Sequence, residues 1–396
     1  MSETLLSLRA RTARSSAVRD LLRLTELPHV LSLAGGLPAP ELLPVAKIAT
    51  VTAVILDTVG AAALQYGPTE GVRILRETVA RRLGYGATAE HTIITTGSQQ
   101  GLDLVARTLL DPGDVVVTEL PTYLGALGAL HWAGPQVVGV ETDVDGMRTD
   151  QLEARLAAGL RPKMAYVVTD FANPTGGTMP AERRRHLAEL ADRYEFVIVE
   201  DSPYGMLRFT GETLPPVRRW SERTVTLGTA SKILSPGLRV GWMTSPGWLH
   251  PSLVVAKQSS DLHTSTLNQR IIDALLNDEA WLDAHVAVLV RTYARRAELL
   301  LDSLDHHLGD SLQVQRPSGG MFVWGRLADP ALTAERFLAA GIEQDVAFVP
   351  GSAFRPDGEP DGCLRMCFTT LADEQFDEAG ARLARALASC APAPVG

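Results

Sequence analysis

What most constrains this chain is an alternation in its middle. Short apolar, β-rich runs are separated by helical patterns. Residues 91–95 (HTIIT) form the first run. Gly97 follows, then a helix with Leu102, Val105, Ala106 and Leu109 at the i, i+3, i+4, i+7 spacing of one helical face. Further runs lie at 115–118, 137–140, 164–169, 196–199, 225–228 and 240–244, with a helix over 181–194 among them. Apolar strands without polar alternation, separated by helices, predict an α/β domain whose mostly parallel sheet is buried on both faces.

The ends read differently. Residues 17–25 predict a short helix, followed by the Gly/Pro-rich loop LSLAGGLPAPELLP. A long Arg- and Leu-rich helix is expected over 280–307. After Pro317 the pattern is strand (MFVWGRL), helix (334–340) and strand (363–368). The expected division is 1–45 as helix and loop joined to a smaller α+β domain, 46–290 as the large domain, and 291–396 as the small one. A chain of 396 residues has room for both.

Composition narrows the partners. The net charge of −9, from 37 basic and 46 acidic side chains, argues against a nucleic-acid scaffold. No apolar run reaches the roughly 18 residues of a membrane span, and residues 1–14 lack the pattern of a signal peptide. Three cysteines, Cys363, Cys367 and Cys390, fit a reducing compartment, so a cytoplasmic protein is expected. Cys363 and Cys367 have no second ligand pair near in sequence, and no metal site is expected.

Lysines are few. Lys47, Lys163 and Lys257 lie in polar or helical surroundings. Lys232 sits in LGTASKILSPGLRVGW, just after an apolar run, with Thr229 and Ser231 before it and Arg239 seven residues on. Such a lysine can act as an amine nucleophile beside an anion site, because desolvation and neighbouring cations make it reactive near neutral pH. An ordinary loop lysine fits the local pattern equally well. TTGSQQG sets Ser98 and Gln99 where a helix begins, and free N–H groups there attract anions. FANPTGG carries Asn173, and VIVEDSPYG places Asp201 past a strand with Tyr204 three residues later. In a parallel sheet the carboxyl ends of the strands form the ligand crevice. Asp201 could equally cap a helix. PTYLGAL offers Tyr123. RMCF offers Arg365, which needs an anionic partner if buried, either a structural carboxylate or a substrate's.

Taken together, the chain resembles the fold-type I pyridoxal-phosphate (PLP) aminotransferases, and within them the 2-aminoadipate and kynurenine aminotransferase subgroup. The matching motifs are SLAGGLP, LQYGPTEG, TTGSQQGLDL, PTYLGAL, FANPTGG, EDSPYG, SKILSPGLRVGW, DLHTSTLNQ, GGMFVW and VAFVPGSAF, in family order over nearly the whole length. The resemblance implies a seven-stranded, mostly parallel large sheet and a homodimer with active sites at the interface. It makes Lys232 the Schiff-base lysine and proton shuttle, and Asp201 the partner of the pyridinium nitrogen. Tyr123 would stack on the ring, and Asn173 and Tyr204 would face its phenolic oxygen. Ser98, Gln99, Thr229, Ser231 and Arg239 would hold the phosphate, with Tyr66 reaching it from the other subunit. Arg365 would clamp the substrate α-carboxylate, assisted by Asn173 and the Gly36 backbone.

Two departures stand out. Ser202 replaces a frequent second aspartate, and Ala230 stands where an aromatic is common. Arg19, on the expected first helix, is a candidate for a distal carboxylate of the substrate. The implied reaction moves an amino group from an α-amino acid to a 2-oxo acid, 2-oxoglutarate or pyruvate, by a ping-pong course. The same lysine and aspartate could instead serve decarboxylation, elimination or oxidation. A ligand-sensing regulatory domain is a more distant alternative, disfavoured by the acidic charge and a match beginning by residue 31.

Overall fold

A computed structural model describes residues 5–12 and 29–390. The expected helix at 17–25, and Arg19 with it, lies outside the described residues. The large sheet runs in the order Thr92–Thr95, Gly241–Thr244, Thr224–Thr229, Val197–Asp201, Met164–Val168, Val115–Leu120, Gln136–Asp143, Gly146–Met147. Seven strands match the expected set. The eighth, Gly146–Met147, is a two-residue hairpin partner of Gln136–Asp143. Only Gly146–Met147 and Gly241–Thr244 run against the rest; Gly241–Thr244 pairs antiparallel with both its neighbours.

Burial on both faces explains the continuous apolar runs. Val116, Met164, Tyr166, Val168 and Val199 join one core with Leu102, Val105 and Leu130. Their strand neighbours Val117, Ala165, Val167 and Ile198 join a second core with Leu152, Leu187 and Leu190. Each valine, leucine, isoleucine or methionine among them contributes about 1.5–3 kcal/mol on burial, and a polar residue buried inside these strands needs a hydrogen-bond partner. Pairing is in register: Val168 faces Asp201, and Asp201 faces Leu227. Asp201 is therefore the last residue of its strand rather than a residue beyond it. The helix Ala181–Tyr194 has the bounds its sequence pattern predicts, and it ends where Glu195 adopts a left-handed conformation (φ 61°).

A second sheet orders Leu312–Val314, Phe322–Leu327, Cys363–Cys367 and Val349–Pro350. The N-terminal segment joins this part of the molecule. Leu31–Ser32 pairs parallel with Val346–Ala347, and the Leu33 carbonyl accepts from Cys367 N at 2.7 Å. The helix Glu279–Leu308 runs unbroken through position 290, where a domain boundary was expected. Its start is capped by the Asp278 carboxylate, which accepts from Trp281 N at 3.3 Å.

One helix, Val45–Leu64, is apolar as a whole. No apolar run there is uninterrupted, because Lys47 and Asp57 break it. Yet its alanines, valines and isoleucines give an 18-residue window with a mean hydropathy of 1.6, long and apolar enough to cross a membrane by length and composition. In the fold it packs on Thr266–Asn277 and buries only Ile55 and Ala63.

Candidate active site

The parallel strands end at a cavity of about 320 Å³. Lys232 lies on the stretch that leaves Thr224–Thr229, crosses the carboxyl edge of the sheet and returns as Gly241–Thr244. Its Nζ donates to the Gly36 carbonyl at 2.8 Å. Burial pulls the ammonium from its ordinary value of 10.5 down to about 8; Cys367 and Asp201 oppose that shift, while Arg365 and Arg239 add to it.

Asp201 faces the same cavity and is 4% exposed. Its Oδ2 accepts from the Tyr166 hydroxyl at 3.0 Å, and its Oδ1 is buried with no partner among the described residues. Burial raises this carboxyl to about 6, against the opposing Tyr166 bond and Lys232 charge. An unsatisfied buried carboxylate oxygen is costly, so the site is suited to a donor that the described residues do not supply. A protonated pyridine nitrogen fits that requirement. Tyr166 was not anticipated, because in an apolar run an aromatic reads as core. Its signal is parity: Tyr166 lies two residues before Val168, the strand partner of Asp201.

An anion cradle forms beside these groups. The helix Ser98–Leu109 starts after Gly97 (φ 83°) with no side-chain cap. A Cβ on Gly97 would stand 2.5 Å from Arg239 Nη2, so the glycine lets the guanidinium lie against the turn. Arg239 Nη2 donates to the Thr96 carbonyl at 3.1 Å. Thr229 Oγ1 donates to Ser231 Oγ at 2.8 Å, and Ser231 N donates to Thr229 Oγ1 at 3.1 Å. The Gln99 side chain donates to the Gly125 carbonyl at 2.7 Å, which ties the helix start to the Tyr123 loop. Free helix N–H groups, hydroxyls and a guanidinium fit a phosphate.

The walls complete the shape. Tyr123 precedes the helix Leu124–Ala133, and a Cβ on Gly125 would meet its ring at 2.4 Å. Burial raises the Tyr123 phenol. Burial also pushes the Tyr204 phenol far up, while a hydrogen bond with Asn173 draws it back. Tyr204 meets Phe322 edge-on at 5.8 Å. Asn173 lies in the loop after Met164–Val168 rather than at the strand's end.

Arg365 is 2% exposed. Its Nη1 donates to Asn173 Oδ1 at 2.9 Å, and its Nη2 to the Ala34 and Gly35 carbonyls, each at 2.8 Å. The guanidinium carbon sits 4.4 Å from the Phe322 ring centre and 5.1 Å from that of Phe354. Among the described residues all its hydrogen-bond acceptors are uncharged, and its Nε is buried without a partner. Phe322 was not singled out in the sequence, where MFVWGRL reads only as a strand. One expected residue is not brought here. Tyr66 is 78% exposed and packs edge-on against His263 at 5.7 Å, in a separate hollow. Arg19 lies outside the described residues.

Lysine, unpaired carboxylate and anion cradle at the carboxyl ends of an α/β sheet define a PLP-dependent enzyme class. The family model for aminotransferases of class I and II matches residues 29–383, and the chain belongs to that family. It is 39% identical over 384 residues to aromatic-amino-acid aminotransferase 1 of Thermococcus litoralis (94% of this chain, 92% of that one). It is 40% identical over 379 residues to the 2-aminoadipate transaminase of Thermus thermophilus (94% of each). The structure of a Pyrococcus horikoshii kynurenine aminotransferase, solved with PMP, superposes with a TM-score of 0.94 at 37% identity and covers 99% of both chains. The fold is that of the fold-type I aminotransferases, the cofactor is pyridoxal 5′-phosphate, and the protein acts on amino-acid and 2-oxo-acid substrates.

Proposed function

We propose that the enzyme takes the amino group of an α-amino acid with an aromatic or 2-aminoadipate-like side chain. It passes the group to 2-oxoglutarate or pyruvate in two ping-pong half-reactions. The observation that carries this reading is Arg365: a buried guanidinium with only neutral acceptors is poised for the α-carboxylate of both substrates. The relatives named for aromatic amino acids, kynurenine and 2-aminoadipate support the donor class.

PLP supplies an electron sink for the bond broken at the substrate Cα. The rest falls to the chain. Lys232 would anchor the cofactor, and its Nζ, once free, is the base placed to take and hold the proton of the substrate Cα. An amine depressed to about 8 is partly unprotonated near neutral pH, which suits a base that must also act as an acid. Asp201 Oδ1 holds the pyridine nitrogen, and Tyr166 keeps Oδ2 occupied. Tyr123 stacks on the ring, while Asn173 and Tyr204 face its phenolic oxygen. Ser98, Gln99, Thr229, Ser231 and Arg239 hold the phosphate. Asn173 and the Gly36 backbone assist Arg365, and Arg19 meets the distal end of an acidic substrate.

The site is completed in a homodimer. Val45, Val54 and Leu64 on the helix Val45–Leu64, and Tyr66 just after it, are exposed apolar residues on one stretch of chain. A second copy covers them, and the partner's Tyr66 reaches the phosphate. The large part spans 46–290 and the small part 291–396 with 1–45, the change falling within Glu279–Leu308. Free, buried cysteines suit a cytoplasmic protein. The deciding test is a panel of amino donors with the purified holoenzyme, read by the change in cofactor absorbance in a single half-reaction. A spectral change with aromatic amino acids and 2-aminoadipate, reversed by 2-oxoglutarate, is expected. Release of CO₂ or ammonia instead would overturn the reading.

A further inference from the structure

Lys257 lies on the helix His250–Asp261 and reads in the sequence as an ordinary helical lysine. In the fold it is 0% exposed. Its Nζ donates three hydrogen bonds, to Asp261 Oδ1 at 2.6 Å, Gln100 Oε1 at 2.8 Å and Thr264 Oγ1 at 3.0 Å. All three ammonium donors are satisfied, and one acceptor is a carboxylate.

Each partner leads to the turn before the helix Ser98–Leu109. Gln100 Oε1 also accepts from Thr96 N at 2.8 Å. Gln100 Nε2 and Thr96 Oγ1 both donate to Asp261 Oδ2, at 2.8 and 2.9 Å. Thr264 Oγ1 donates to the Ile94 carbonyl at 3.3 Å. Thr96 is thus held at its N–H and its hydroxyl from behind the loop. Its carbonyl accepts from Arg239 Nη2 at 3.1 Å. One residue on, Gly97 leaves only enough room for the Arg239 guanidinium.

We propose that Lys257 is a positioning residue for the cofactor phosphate: its ammonium, with Asp261 and Gln100, fixes Thr96 so that Arg239 and the N–H groups at Ser98 and Gln99 converge on one anion. The inference rests on reading the Ser98–Arg239 cradle as the phosphate site. Lys257 does not itself line the cavity, so it acts through Thr96 and Arg239. A lysine that only stabilised the fold would leave the discrimination between phosphorylated and unphosphorylated ligands untouched.

The test compares pyridoxamine 5′-phosphate with pyridoxamine, neither of which can condense with lysines. Both are titrated into the full-length protein stripped of cofactor, as wild type, Lys257→Met and Asp261→Asn. Wild type binds the phosphorylated ligand far more tightly. Lys257→Met raises its Kd about tenfold, as when one charged hydrogen bond from the cradle to the phosphate is weakened by misplacement, and leaves the Kd of pyridoxamine unchanged. Asp261→Asn keeps the shape of the network and gives a smaller loss in the same direction, so the inference stays testable if Lys257→Met does not fold. An unchanged ratio of the two Kd values in the variants that fold, whatever happens to their melting temperatures, overturns the role of Lys257. A wild-type protein that does not prefer the phosphorylated ligand overturns the cradle reading instead.

Discussion

Arg365 gives the sharpest prediction. Replacing it with Met removes a guanidinium that is 2% exposed and has no charged acceptor of its own. A carboxylate held by its fork would lose two charge-assisted hydrogen bonds. These are worth roughly 1.5–3 kcal/mol each, so about 3–6 kcal/mol is at stake, or about 10²- to 10⁴-fold in kcat/KM. The assay is the half-reaction of the holoenzyme with an amino acid and, separately, with the amine that lacks its carboxylate. Wild type should favour the acid by about that factor. Arg365→Met should lose most of the preference by slowing on the acid alone, with cofactor occupancy unchanged. Arg365→Lys keeps the charge but not the fork, and should fall between. A variant that still prefers the acid as strongly as wild type would refute the assignment, and Arg365 would then be a structural tie for the Ala34 and Gly35 carbonyls.

Other outcomes follow from burial and charge. Lys232 is held near 8 in the fold against 10.5 when exposed. Its burial therefore destabilises the cofactor-free protein fully below pH 8, and the penalty fades as pH rises from there to 10.5. Lys232→Met should abolish transamination yet raise cofactor-free stability at pH 7 by up to about 3 kcal/mol, a gain that denaturant melts should find shrinking by pH 10. Glu119 is a buried carboxyl raised to about 8 by desolvation, with Oε2 accepting from Val168 N at 2.9 Å. Its folded form holds a proton that the unfolded chain gives up above 4.5, so its contribution becomes unfavourable as pH climbs through that interval. Glu119→Gln should be close to neutral at pH 5 and stabilising at pH 9 in the same melts. Arg19→Ala should raise KM for 2-aminoadipate or glutamate far more than for aromatic donors; equal effects on both would remove Arg19 from the pocket.

The strands and the residues at their ends were legible because burial on both faces leaves a signature that needs no partner to be seen. Val116 and Val117 enter different cores, so the run carries no alternation, and the polar residues that end such runs stand out. Asp201, which ends the strand Val197–Asp201, stands out in that way, whereas the local pattern around Lys232 fits an ordinary loop lysine equally well until the neighbouring motifs are weighed with it. Residues whose role depends on pairing do not stand out. Tyr166 reads as core until the register sets its strand against Val197–Asp201. Phe322 reads as a strand residue until Arg365 is laid against it. Lys257 reads as solvated because its helix, with Ser259, Ser260 and Asp261 beside it, is polar in sequence; only the packing of that helix against Ser98–Leu109 encloses it. Tyr66 is a converse case: the motif was plain, but a single chain leaves it facing solvent.

The antiparallel strand Gly241–Thr244 is what lets one short segment serve two ends of the cofactor. A parallel successor to Thr224–Thr229 would require a crossover helix, carrying the chain off the carboxyl edge of the sheet. Reversing direction instead keeps residues 230–240 on that edge. Lys232 then donates to the Gly36 carbonyl, and Arg239, seven residues later, lies against Gly97 and Thr96. The amine and the anion cradle are fixed by a single return whose two ends are in register, Thr229 opposite Gly241. A third group is set by the next strand pairing, Asp201 opposite Leu227. Arg365 is held in the second sheet, opposite Trp324 and Val349, so these three charges, Lys232, Asp201 and Arg365, are placed by strands or by the return between strands rather than by one another. Lys232 and Asp201 are both held away from their ordinary ionisation, and Arg365 is held without an acid, because the ladders tolerate what side-chain pairing would relieve. Cofactor and substrate carry the complementary charges, and their binding relieves all three.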